Sequence, residues 1–251
     1  AIDRGATEVC LQGGIHPKYT GNTYLDIVKT IRSVSETVHI HAFSPLEIDH
    51  GRRTLNISVE EFLLELKNAG LNSLPGTAAE ILHDDIRAII CPDKLNSQEW
   101  ANVIMAAHSV GLPTTSTMMF GHVENMSHVA RHFGELKDIQ NKTNGITEFV
   151  PLPFVASEAP IYMRGLSRPG PTFKESVLVH AAARIFFYDS IDNIQGSWVK
   201  MGLPGLKFLL SAGINDVGGI LMNESITKAA GASFGQELNL ADVDRIAKSL
   251  D

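Results

Sequence analysis

The feature that most restricts the fold of this chain is its alternation of strand-like and helix-like runs, roughly every 30 residues. The clearest strand is Thr114 to Phe120, a β-branched and apolar run without Gly or Pro that ends at Gly121. Helical patterns flank it. Ser97 starts one that runs through Val110 and carries Trp100, Val103, Ile104 and Ala107 on one face; another covers about Met126 to Lys142. Further strands are expected over Ala6 to Leu11, Val38 to Phe43, Leu71 to Leu74, Ile146 to Val150 and Asn193 to Ser197, with a last strand end from Asp216 to Leu221. About six or seven βα units result, more than a small doubly wound sheet needs and fewer than a full eight. The expected class is α/β, a partial TIM-type (β/α) barrel over residues 1–251 with no sequence repeat behind its period.

The remaining helices follow from end signals. Tyr24 to Val34 has helical apolar spacing, and Ser58 with Glu61 forms a capping box for a helix that stops at Gly70. Thr77 to Ile81 reads as a short helix whose first turn holds Glu80. Lys174 to Tyr188, Leu203 to Ala212 and Asp242 to Leu250 complete the set. The Pro- and Gly-rich stretch from Ser157 to Pro171 is too long for a barrel turn and is expected to cover the site.

At 251 residues and 44% hydrophobic, the chain suits one large α/β domain. A net charge of −7 without a basic cluster argues against nucleic acid as the main partner. No apolar run is long enough for a bilayer and no signal-peptide pattern is present, so no membrane partner is expected. Two cysteines, Cys10 and Cys91, make no disulfide framework, which points to a reducing, cytoplasmic setting. The chain opens at Ala1 without Met and enters a strand almost at once, and so reads as a piece of a longer protein.

In a parallel barrel the C-terminal strand ends share one mouth. The groups collected there are Gly13, Gly14 and His16, His41 and Ser44, Glu80, His122 and Glu124, Pro151 and Pro153, Gln195 and Asp216. A hydrolytic metal site could be built from His39 and His41, which share a strand face, with His122 and Asp216. An anion site could use Gly13-Gly14 and Gly218-Gly219, although no Lys or Arg flanks them. Each residue also has a plain reading: Glu80 as a first-turn helix residue, Met119 as core packing, Asp216 as a turn residue, His16 and His41 as satisfied loop and barrel histidines.

Several motifs, in a shared order, resemble the radical S-adenosylmethionine (SAM) enzymes. They are Val9-Cys-Leu-Gln-Gly-Gly-Ile-His-Pro17, His39-Ile-His-Ala-Phe-Ser-Pro45, Leu74-Pro-Gly-Thr-Ala-Ala-Glu-Ile81, Cys91-Pro-Asp-Lys94, Pro113 to Glu124 and Phe149-Val-Pro-Leu-Pro-Phe154. Gly202 to Lys207 and Asn215 to Ser225 extend the likeness almost to the C-terminus. Within the superfamily the chain is similar to the group making deazaflavin and futalosine-pathway menaquinone precursors, above all to the tyrosine-using half of FO synthase (7,8-didemethyl-8-hydroxy-5-deazariboflavin synthase) of coenzyme F420 biosynthesis.

The resemblance implies that SAM is held by Gly13 and Gly14 at its amino group, by Glu80 at its ribose hydroxyls, and by Met119, Gly121, Glu124, Val150 and Leu152 beside the adenine. No acidic residue follows the glycines, so their carbonyls would receive the ammonium. It implies a 5′-deoxyadenosyl radical that attacks tyrosine, and transfer of a 4-hydroxybenzyl fragment to 5-amino-6-(D-ribitylamino)uracil. His16, His41, Thr115, His122 and Asp216 are the candidates for holding these substrates; no proton donor is assigned among them. The other FO synthase half is an implied partner.

One departure is large. The family holds a 4Fe-4S cluster on a Cys-x3-Cys-x2-Cys loop after its first strand, and this chain has no such triplet. The expectation is that the first βα unit and its cluster loop precede Ala1, which leaves the chain by itself inactive and without metal ligands. A futalosine-pathway cyclase, a metal-dependent barrel hydrolase and a cluster-less binding module are the alternatives.

Overall fold

The computed structural model describes residues 1–220, 226–229, 231, 234 and 237–248. The elements are β1 (Glu8–Leu11), α1 (Gly21–Val34), β2 (His39–Ala42), α2 (Pro45–Leu55), α3 (Val59–Ala69), α4 (Asp84–Ile90), α5 (Ser97–Ser109) and β3 (Thr114–Phe120). They continue with α6 (Met126–Thr143), β4 (Ile146–Pro153), α7 (Pro160–Met163), α8 (Phe173–Phe186), β5 (Asn193–Ile194), α9 (Trp198–Ser211), α10 (Ile226–Ala229) and α11 (Leu240–Lys248). All the described pairings are parallel, as helix crossovers require. The class is the expected α/β. Residues 221 and 250, where a strand end and the last helix were expected to finish, lie outside the described residues.

The chain divides into two compact units, one of residues 1–79, 91–116 and 138–147, the other of residues 80–90, 117–137 and 148–251. In the first, β1 pairs with β2, His41 bridges to Ser73, and Leu74 bridges to Thr114 at the start of β3. Its core is built from the inner faces of the helices: Tyr24 and Val28, Ile48, Phe62, Leu63 and Leu66, and Trp100, Val103, Ile104 and Ala107 are all buried. Side chains of this size contribute about 1.5–3 kcal/mol each on burial. In the second, β4 pairs with β5, and Gln195 bridges to Asp216. Phe149 packs on Phe133 and Phe187, and Phe120 on His180, so these strand residues face helices. By alternation Thr117 and Met119 of β3, and Glu148, Val150 and Leu152 of β4, face the other way.

Local chemistry accounts for most element ends. Ser58 and Glu61 form the expected capping box, and Gly70 ends α3 in the left-handed region with φ 117°. For α5 the cap is Asn96, one residue before the expected Ser97, with Glu99 completing the box. Four helices were not legible: α4, the one-turn α7 and α10, and α2, which Ser44, Pro45 and Glu47 start with a cap, an N1 proline and a capping box. The helix expected over Thr77 to Ile81 is absent. Those residues form turns and bends, with Glu80 at φ 48°. Gly202 (φ 66°) breaks α9, so the helix expected from Leu203 is its second part.

A short device recurs ahead of the strands. Arg32, in the last turn of α1, donates to Gly70 O beyond α3 and to Asn72 Oδ1, which also accepts from Ile40 N in β2. In the second unit Arg184, in the last turn of α8, donates to Gly213 O beyond α9 and to Asn215 Oδ1, which accepts from Ile194 N in β5. A Cβ on Gly70 or Gly213 would run into the stem of its arginine. Lys67 reaches Val110 O, and the His108 ring covers Gly145. Behind the device lies a recurring Gly-Leu/Ile-x, at Gly70, Gly111, Gly145 and Gly213.

Candidate functional site

In the first unit the Gly13-Gly14 turn follows β1 and is exposed. Its partner is an acidic residue that sequence reasoning missed. Glu47 of α2, 4% exposed, accepts Gly13 N at 3.1 Å through Oε1, and Ser44 N and Ser44 Oγ through Oε2. Burial pushes the Glu47 carboxyl up from its ordinary range, against the opposing pull of the Ser44 and Gly13 hydrogen bonds. A Cβ on Gly14 would meet nothing within 4 Å, so this turn keeps open space beside its backbone.

His39 and His41 do share a face of β2, and both rings meet the Ser73 hydroxyl at 2.7 Å. One hydroxyl between two imidazoles donates to one ring and accepts from the other. Burial, then the neighbouring His39, lowers the His41 pKa to about 4, so it is neutral at pH 7. Thr115 Oγ1 accepts from Gly76 N at 3.2 Å. His16 is exposed, its Nδ1 accepting from Lys18 N and its ring 5.0 Å from Tyr19.

In the second unit the turn after β3 is closed. Gly121 has φ 96°, which only Gly adopts easily, and a Cβ there would run into the Pro171 ring. The space that glycine leaves is therefore filled by the protein itself. Glu124, whose side chain is fully buried, accepts Gly121 N at 2.6 Å through Oε1 and His122 N at 2.9 Å through Oε2. Burial pushes this carboxyl up, but the amides of Gly121 and His122 outweigh it and hold Glu124 below its usual range.

His122 is buried, and desolvation lowers its pKa. Its Nε2–H donates to Met119 O at 2.8 Å and its Nδ1 accepts from Val123 N at 2.7 Å, which fixes a neutral tautomer. The 3.1 Å approach of Nδ1 to Glu124 is then no ion pair. Glu80 O accepts Met119 N at 2.9 Å, so Glu80, Met119, Gly121, His122 and Glu124 are brought together. A non-Gly residue in the left-handed region, as Glu80 is, costs about 1–3 kcal/mol and recurs at functional sites. Val150 is buried and Leu152 half-buried, on the β4 face opposite the aromatic core. Asp216 Oδ1 accepts Gly218 N at 2.6 Å.

These bonds decide against two readings. The Gly13 and Gly218 amides already serve carboxylates, Glu47 and Asp216, which would repel a phosphate. His39 and His41 are turned to Ser73, and among the described residues no three His, Cys, Asp or Glu side chains could hold a metal ion. No helix of the described residues is long and apolar enough to cross a membrane.

Residues 1–136 match the model of the radical SAM superfamily. The chain belongs to the radical SAM superfamily. Residues 143–244 of this radical SAM chain match the CofH/MqnC C-terminal region. It is 48% identical over 250 residues to the 5-amino-6-(D-ribitylamino)uracil–L-tyrosine 4-hydroxyphenyl transferase of Methanothermobacter thermautotrophicus, covering 100% of this chain and 68% of that one. The enzyme of the same name from Methanopyrus kandleri is 48% identical over 248 residues, with 99% and 67% covered. FO synthase of Nocardia farcinica is 47% identical over 246 residues, which are 98% of this chain and 28% of that one. Methylornithine synthase shares the fold, with a TM-score of 0.68 at 14% identity over 97% of this chain and 67% of that one. Enzymes of the superfamily use SAM and a 4Fe-4S cluster in general.

Proposed function

We propose that this chain is part of a 5-amino-6-(D-ribitylamino)uracil–L-tyrosine 4-hydroxybenzyl transferase acting in FO and coenzyme F420 synthesis. The observation that carries the reading is the 48% identity, over the length of the chain, to transferases named for these two substrates. The same relatives favour it over a futalosine-pathway cyclase. The other FO synthase half is the partner this reading implies.

The chain's own residues fit SAM. Glu80 offers a carboxylate suited to paired hydroxyls, Met119, Val150 and Leu152 offer apolar contact for a base, and Gly14 leaves its backbone carbonyl accessible. Glu47 lies against Gly13 and adds the negative charge an ammonium needs, which the residues after the glycines lack. When bound, SAM with the cluster supplies the one-electron chemistry of the superfamily. His16, His41, Thr115, His122 and Asp216 remain the candidates for the substrates; His41, being neutral, would hold an uncharged ribityl or uracil group by hydrogen bonds, whereas both ring nitrogens of His122 are already engaged by Met119 O and Val123 N.

The cluster is another matter. Cys10 is exposed on β1 and Cys91 is buried in a loop, and two separated thiols do not fit a three-thiolate site. In this reading the cluster belongs to cysteines outside these residues, in a first βα unit.

The test is anaerobic turnover by the full-length enzyme with tyrosine, ribitylaminouracil, SAM and a reductant. The expected result is 5′-deoxyadenosine formation that requires both substrates and falls at least tenfold in Glu80→Gln. Turnover that ignores tyrosine would overturn the reading.

A further inference from the structure

Residues 154–171 leave the end of β4 and return to the start of α8, and their contacts gather at one place. Phe154 N donates to Phe120 O at 2.8 Å, and the Phe154 ring packs edge-on against His122 at 5.9 Å. At the other end Pro171 fills the space beside Gly121, and a Cβ on Gly170 would sit 2.6 Å from Phe154 O. The two ends of the segment thus meet, in the manner of an Ω-loop, on the turn that follows β3.

Between them Arg168 ties the segment down three ways. Its amide donates to His122 O at 2.9 Å. One guanidinium nitrogen donates to Glu175 Oε1 at 2.8 Å, and the other to Glu124 Oε1 at 3.2 Å. Glu175 is itself the capping-box residue of α8, accepting Thr172 N at 2.7 Å. The chain of bonds runs from the first turn of α8 through Glu175, Arg168 and Glu124 to the amides of Gly121 and His122. Glu124 is the buried member, and without the guanidinium its charge would rest on the backbone amides of Gly121 and His122 alone.

We infer that Arg168 is a positioning residue for the cofactor: by holding Glu124 it fixes the Met119–Gly121 backbone. This rests on the reading that Met119 borders the adenosyl group, with the Gly121 turn as its support. It assigns a task to a residue that no motif marks, 44 positions from the carboxylate it serves.

The test uses the full-length, cluster-bearing enzyme and two readouts. The first is the KM for SAM against kcat. The second is tryptic cleavage after the exposed Arg164, with and without SAM; Arg168 itself precedes Pro169, where trypsin does not cut. The expected result for Arg168→Met is a KM for SAM raised about tenfold with kcat changed less than about threefold, and loss of the protection SAM gives Arg164. Arg168→Lys, which can serve one carboxylate, falls between the two. Faster cleavage of Arg168→Met with unchanged KM and unchanged SAM protection would overturn the proposal, since Arg168 would then only hold the segment. A wild-type enzyme that SAM neither serves nor protects overturns the adenosyl reading itself, and this role with it.

Discussion

Two glycine turns, each held by a glutamate, differ in what the protein does with the space beside them. At Gly13-Gly14 the amide is held by Glu47 and the flank is open. At Gly121 the amide is held by Glu124, the flank is filled by Pro171, and Arg168 caps the carboxylate. The carboxyls respond in opposite senses: burial prevails at Glu47 and pushes it up, while backbone amides prevail at Glu124 and hold it down. An open turn with a charge that is costly to keep suits a ligand that arrives and completes it. A closed turn with a settled charge is scaffold. A glycine in a strand-end motif is therefore not by itself a sign of ligand approach.

The largest test of that contrast is the pair of alanine substitutions. Gly121→Ala adds a clash with Pro171 and a strained φ, and is expected to destabilise by about 3 kcal/mol or more. Gly14→Ala is expected to leave stability within about 0.5 kcal/mol, so that any loss it brings is in SAM binding. Denaturant midpoints for the two variants decide it, and equal losses would erase the distinction.

Next come the carboxylates. Glu124→Gln gives up a charged acceptor for two amides and an arginine, and about 2–3 kcal/mol is expected to go with it. Glu47→Gln, replacing a carboxylate already disfavoured by burial, is expected to lose about 1 kcal/mol. The same melts measure both.

Acidification sharpens the comparison by applying to both units. Burial lowers the pKa of His41 and His108 in the first to about 4, and in the second that of His132 to about 3 and His180 to about 4. Unfolded imidazoles take protons below pH 6.5, while the native ones refuse them until much lower, so stability falls as pH drops below 6.5. At pH 5 the loss is about 2 kcal/mol for each imidazole that stays neutral in the fold. Thermal melts at pH 7.5 and 5.0 should show a lower midpoint at pH 5.0; a flat profile would mean that these rings take up protons in the native state as readily as in the unfolded chain.

What was legible in the chain followed local chemistry. The Ser58–Glu61 capping box, the Thr114 to Phe120 strand and the apolar face of α5 were all readable because neighbours in sequence decide them. Helix α2 has every start signal at Ser44-Pro45-Leu46-Glu47, yet its interior runs Asp49, His50, Arg52 and Arg53, which hides the apolar period. Without α2 the sequence does not place Glu47 beside Gly13, and leaves an ammonium only carbonyls. Glu80 was placed in a helix because Thr-Ala-Ala-Glu favours one; its left-handed backbone and its bond to Met119 N come from tertiary contact. Arg168 meets Glu124 across a separation that no local pattern encodes.

The recurring Gly-Leu/Ile-x was too short to register as a repeat, but the arginines that close over it have an evolutionary consequence. Each ties the end of one helix to the end of a later one, ahead of the strands, and none draws on the turns that follow them. Selection can therefore rewrite the turns that meet small molecules, lengthening one or exchanging another, while the anchoring of the βα units is left as it was. Relatives with different substrates need differ little at Arg32, Gly70, Arg184 and Gly213, and can differ in the turns.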